Sequence, residues 1–263
     1  TRNNNMHIVL NNLGVASEKA GKNKQALKFW EQALKKNPGL PETHVNMGVV
    51  YEKMGKKKKA IAVYQKALEL DKTNAMAHYN LGVIYAKEKK FPEAIEEWET
   101  ALKLDGKDLN ILNSLAWAYE KLGKRKKALA KLKRSIKLSP YDSKTHFTSG
   151  RIKYDLEDFD EAIESFKKAV QLDPSFGEAY YRLGLAYDIQ NQSYDAISNL
   201  LITELVFHKA KKMDLFKKTQ SVLENLFDKY QASREDFKDL QVPETLKGYD
   251  LHKRNRIRTS KEK

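Results

Sequence analysis

Apolar positions along the chain fall at helical spacing in paired runs. Between residues 75 and 108 one run is Ala77, His78, Leu81, Val83, Ile84 and Tyr85. The next is Ala94, Ile95, Trp98, Ala101 and Leu102. A polar stretch, Lys87–Lys90, separates them. The pattern predicts a helix, a tight turn and a second helix. It returns every 34 residues in six blocks without insertion: 7–40, 41–74, 75–108, 109–142, 143–176 and 177–210. Column 7 reads Leu13, Met47, Leu81, Leu115, Ser149, Leu183, and column 8 reads Gly14, Gly48, Gly82, Ala116, Gly150, Gly184. Column 20 is always alanine, from Ala26 to Ala196, and column 24 is large: Trp30, Tyr64, Trp98, Leu132, Phe166, Leu200. Small residues at columns 8 and 20 let two helices approach closely. Pro38, Pro140 and Pro174 at column 32 are expected to stop the second helix of their blocks. No block buries its apolar face alone, so neighbours must stack.

These columns resemble the tetratricopeptide repeat (TPR) family over residues 7–210. The resemblance implies an all-α, superhelical α-solenoid of six helix-turn-helix repeats. Block five departs from it at Ser149 and Lys153, and block six at Thr203 and His208, as expected of a last repeat. Residues 1–6 are read as an N-terminal leader. Residues 211–231 carry a helical stripe from Met213 to Tyr230 and are read as a capping helix. Residues 232–263 are read as a short helix near Ser233–Leu240, with Ser233 and Asp236 as a capping pair, followed from about Lys247 by a mobile basic tail.

Composition narrows the chemistry. There is no cysteine among the 263 residues, so there is no disulfide, thiolate metal site or thiol nucleophile. Absent cysteine fits both a reducing cytosol and an extracytoplasmic space; a soluble, cytoplasmic protein is the expectation. The chain opens at Thr1, as expected of a processed or excised form whose upstream signal, anchor or further domain is not seen. No catalytic motif and no cofactor motif is present, so enzymatic activity is not expected. His44, His78 and His146 share column 4, a packing position, and are read as packed side chains rather than metal ligands.

The resemblance implies that columns 2, 5, 6, 9, 12 and 13 face a concave, peptide-binding groove. Column 6 supplies Asn12, Asn46 and Asn80, and Asn113 stands at column 5; side-chain amides suit a peptide backbone. Column 13 supplies Lys53, Lys87 and Lys121, a row suited to acidic ligands. Less usual are Tyr79, Phe147 and Tyr181 at column 5, Trp117 and Arg151 at column 9, Tyr154 at column 12 and Arg182 at column 6. Aromatics and arginine are the commonest anchors of a bound partner. Column 5 never holds lysine, so the two-carboxylate clamp of heat-shock-chaperone co-factors is rejected.

The formal net charge is +14. Much of it lies in the inter-helix turns, where Lys56, Lys57, Lys58 and Lys59, then Lys124, Arg125, Lys126 and Lys127, form a basic ridge. Block five reverses the sign with Glu157, Asp158, Asp160 and Glu161. Phe91 is the ridge's one aromatic, too few for base stacking. The expected function is a non-catalytic adaptor or scaffold that binds an extended or helical segment of another protein. The alternative is an electrostatic adaptor that docks its ridge and tail on an anionic membrane, nucleic acid or acidic protein, or a self-assembling scaffold.

Overall fold

The computed structural model describes residues 5–247. Their regular structure is helical, with no strand among the described residues. The first helix of each block is α1 (Met6–Lys19), α3 (Pro41–Lys53), α5 (Ala75–Lys87), α7 (Leu109–Lys121), α9 (Ser143–Tyr154) and α11 (Gly177–Ile189). The second is α2 (Asn23–Lys36), α4 (Lys57–Leu70), α6 (Phe91–Leu104), α8 (Arg125–Leu138), α10 (Phe159–Leu172) and α12 (Ser193–Lys209). Helix α13 (Met213–Tyr230) and two short 3₁₀ turns, Arg234–Phe237 and Glu244–Leu246, follow.

The chain forms two compact units, Thr1–Lys131 and Leu132–Lys263. In the first, α1 packs on α2, α3 on α4 and α5 on α6, and each pair packs on the next through to α7. In the second, α9 to α13 pack in the same serial manner. Contacts are therefore local in sequence, as a repeat fold requires.

Within a block, column 8 meets column 24. A Cβ built on Gly82 would fall 2.5 Å from the Trp98 indole nitrogen, and one on Gly150 2.8 Å from the Phe166 ring. The large ring fills the space that glycine leaves. Trp30 and Trp98 are then buried, and each indole N–H donates to the column-5 carbonyl of its own block: Trp30 to Asn11 at 3.2 Å, Trp98 to Tyr79 at 3.0 Å.

What ends the second helix is not chiefly proline. In blocks with and without it, an Asn or Asp at column 31 is extended and its side chain accepts from the N–H two residues on. Asn37 takes Gly39 N–H at 3.1 Å, Asp71 takes Thr73 at 2.8 Å, Asp105 takes Lys107 at 3.3 Å and Asp173 takes Ser175 at 2.9 Å. These Asx turns stop the helix. Block six has Phe207 at that column and no proline, so α12 runs on to Lys209. Asn74, Asp108 and Asp142 at column 34 then cap α5, α7 and α9 by accepting from first-turn N–H groups.

Helix α12 is buried almost all round, from Ala196 to Phe207. Helix α13 covers one face. Residues beyond α13 cover another: Leu246 is buried against Tyr180, Ile202, Leu205 and Val206, while Phe237 stacks on Tyr194 at 5.2 Å. The Ser233–Asp236 capping pair forms as expected. Glu204 on α12 is buried and takes a bidentate pair from Arg234 at 2.8 and 3.1 Å, with Gln220 of α13 donating at 2.9 Å. Residues 232–246 are thus anchored on α12 through Phe237 and Leu246, ahead of the point near Lys247 from which the basic tail is expected. The basic residues from Lys253 onward, and residues 1–4 of the leader, lie outside the described residues.

Candidate functional site

Between α5 and α7 a cleft of about 490 Å³ opens on the surface of the first unit. Tyr79, Val83, Ala86 and Lys87 line it from α5, and Asn110, Asn113, Ser114 and Trp117 from α7. Every one of these eight stands at column 2, 5, 6, 9, 12 or 13. Trp98 of α6 reaches the floor. Trp117 is 41% exposed, while Trp30 and Trp98 are buried. Its indole is steadied by Phe91, whose ring meets it edge-on at 5.3 Å and 80°. Phe91 is therefore spent on the cleft and is not a free stacking platform on the ridge.

The lysine row differs from its expectation. Lys53 pairs with Glu18, and Lys87 with Glu52 at 3.0 Å. In both, a column-12 glutamate of one block meets the column-13 lysine of the next. Lys121 has Ala86 in that place and makes no ion pair among the described residues. So one lysine of the three keeps an unshared charge. The asparagine row is mixed: Asn12 is exposed, Asn46 half-buried, and Asn80 half-buried with its amide nitrogen unpartnered.

In the second unit Phe147 corrects the sequence reading. It is buried, 5.8 Å from Phe166 and 4.8 Å from Phe176, and belongs to the core. Tyr154 is half-buried edge-on to Phe159 at 5.4 Å, and burial pushes its phenol up. Arg151 is half-buried on α9, in a different unit from Trp117. Tyr181 and Arg182 line a hollow of about 210 Å³ between α11 and α13.

The ridge is partly neutralised. Glu88 pairs with Lys57 and with Lys90 at 2.9 Å, which pushes its carboxyl down to about 2. Lys59 lies over the Tyr51 ring at 5.8 Å and Lys127 over Tyr119 at 5.7 Å. Lys56, Lys58, Lys124, Arg125 and Lys126 stay exposed. The unusual Lys153 of block five is held by Glu161 at 3.0 Å and donates to Ser165 Oγ at 3.2 Å.

Two of the three column-4 histidines are hydrogen-bonded, while the buried Nδ1 of His44 has no partner among the described residues. His78 meets Glu97 at 2.6 Å, and His146 the Pro140 carbonyl at 3.0 Å. Burial, aided by Lys66, holds His44 below the ordinary imidazole value. Among the described residues no group of side chains suits a metal ion, and no helix is long and apolar enough to cross a membrane.

Two family models match. The one described as TPR repeat covers residues 19–55, 54–89 and 150–188; the one described as Tetratricopeptide repeat covers 73–140. No curated protein matches. Among solved structures the chain is similar to YrrB, described as a TPR protein with an unusual peptide-binding site. The two are 26% identical, with 70% of this chain and 97% of that one covered and a TM-score of 0.61. It is similar to MamA at 25% identity, covering 63% and 97%, with a TM-score of 0.60. Pseudomonas aeruginosa PilF, at 17% identity, 84% and 99% coverage and a TM-score of 0.68, shares the fold.

Proposed function

Because the chain belongs to the tetratricopeptide repeat family, we propose that it is a non-catalytic adaptor or scaffold that holds a segment of a partner protein between α5 and α7. The observation that carries this reading is Trp117. A large aromatic braced by Phe91, open to solvent and beside the amides of Asn110 and Asn113, is built like an interface anchor. The apolar wall takes a side chain, and the amides take the peptide backbone. The description of YrrB as a protein with a peptide-binding site supports the same reading.

A second reading rests on the exposed cations of the ridge, Lys56, Lys58, Lys124, Arg125 and Lys126, which suit an acidic surface. Salt separates the two. Affinity capture from native lysate at low and high salt, with wild type beside Trp117→Ala, tests both. A partner bound through the cleft survives salt and binds the variant roughly thirty-fold more weakly, about 2 kcal/mol. Partners that vanish with salt and ignore the substitution would move the function to the ridge.

A further inference from the structure

The hollow between α11 and α13 has a chemistry unlike that of the α5–α7 cleft. Its apolar lining is the buried Phe207 and the exposed Leu215, and two cations line it as well, Arg182 from α11 and Lys218 from α13. Arg182 is half-buried, yet its guanidinium makes no hydrogen bond or ion pair among the described residues. Glu178 stands one helical turn before it, in the same wall, and does not pair with it. Lys218 makes no ion pair among the described residues either; its ammonium lies over the Tyr181 ring at 5.7 Å. Thr219 is already used, donating to the Leu215 carbonyl at 2.8 Å. A guanidinium carries five N–H donors in a fork that matches a carboxylate. With no protein acceptor and none of its nitrogens among the buried unpartnered atoms, that fork is open to solvent and to a ligand's carboxylate.

We propose that this hollow is a second binding site, which takes a carboxylate through Arg182 and Lys218. The volume, about 210 Å³, lies below the roughly 300–1,000 Å³ of small-molecule sites. It suits one residue of a peptide: an acidic side chain or a chain terminus. An adjoining hollow of about 210 Å³ shares Glu178, Phe207 and Leu215, and leaves room for the chain that carries the carboxylate. Lys218 comes from a helix outside the six repeats, so the site is made by the capping helix and not by repeat stacking alone.

The test is a titration of the full chain followed by the Arg182 Nε–H and backbone amide resonances of α11 and α13. The probes are N-acetylphenylalanine, a terminal carboxylate, N-acetylaspartyl-N-methylamide, a side-chain carboxylate, and N-acetylphenylalaninamide, neutral. Binding of at least one carboxylate, about ten-fold weaker in Arg182→Gln and weakened again by adding Lys218→Gln, is the expected result. Which carboxylate binds identifies the source. Arg182→Lys keeps the charge, loses the fork and retains part of the affinity, and its helicity reports that the fold is intact. Trp117→Ala leaves the titration unchanged, so failure here is separate from failure of the cleft. Equal shifts from the neutral amide, or an unchanged Arg182→Gln titration, would overturn the proposal.

Discussion

Single atoms set the spacing of each helix pair. At Gly82 an added Cβ would press into Trp98, so Gly82→Ala overpacks a site with no slack. We expect a loss of about 1–3 kcal/mol in urea unfolding. The turn after each first helix makes the opposite case. Gly21, Gly55 and Gly123 hold φ of +74°, +71° and +70°, but the equivalent Lys89 and Glu157 hold +61° and +65° with a side chain attached. Left-handed backbone costs a residue with a Cβ about 1–2 kcal/mol, part of which glycine gives back as unfolded-state entropy. Lys89→Gly should therefore stabilise the protein by about 0.5–1 kcal/mol, and an unchanged midpoint would refute the strain. The glycines and aromatics of columns 8 and 24 were legible in the sequence because they recur. The burial of Phe147 was not: a column states which face a residue takes, and not how far its neighbours draw it in.

At the scale of the element, the period placed every helix of the six blocks, because apolar spacing and turn chemistry agree there. It did not reveal the helix terminator. Proline draws the eye, but the Asx turns at Asn37, Asp71, Asp105 and Asp173 act in blocks with and without it. The lysine–glutamate pairs Lys53–Glu18 and Lys87–Glu52 were hidden for a similar reason, since partners 35 residues apart share no local motif. In the segment after α13 the Ser233–Asp236 cap was legible, but its packing was not, because Phe237, Leu240, Val242 and Leu246 follow no period. Their anchor is the pair between the buried Glu204 and the half-buried Arg234. Arg234→Leu leaves a buried carboxylate facing Gln220 alone and should cost about 2–4 kcal/mol. Glu204→Gln/Arg234→Leu should cost less than the single change, because no charge is then stranded. A double variant weaker than Arg234→Leu would show that packing, not charge, holds the segment.

The whole molecule stores its stability in neighbour contacts, since packed helices within each unit are adjacent in sequence. A local defect should stay local. In hydrogen exchange, Gly82→Ala should deprotect α5 and α6 most, then their neighbours α4 and α7, and leave α11 to α13 at wild-type rates. Uniform loss across both units would mean a single cooperative fold. Helix α12 bears on this in a further way. A tandem array lengthens by duplicating a block, and each new block needs an open apolar face on which to settle. Here α13 and the chain up to Leu246 already occupy the faces of α12. A copied block inserted ahead of α11 meets a repeat like its own, whereas one grafted behind α12 meets the protein's own covering. Growth of such an array is open from within and closed at that end.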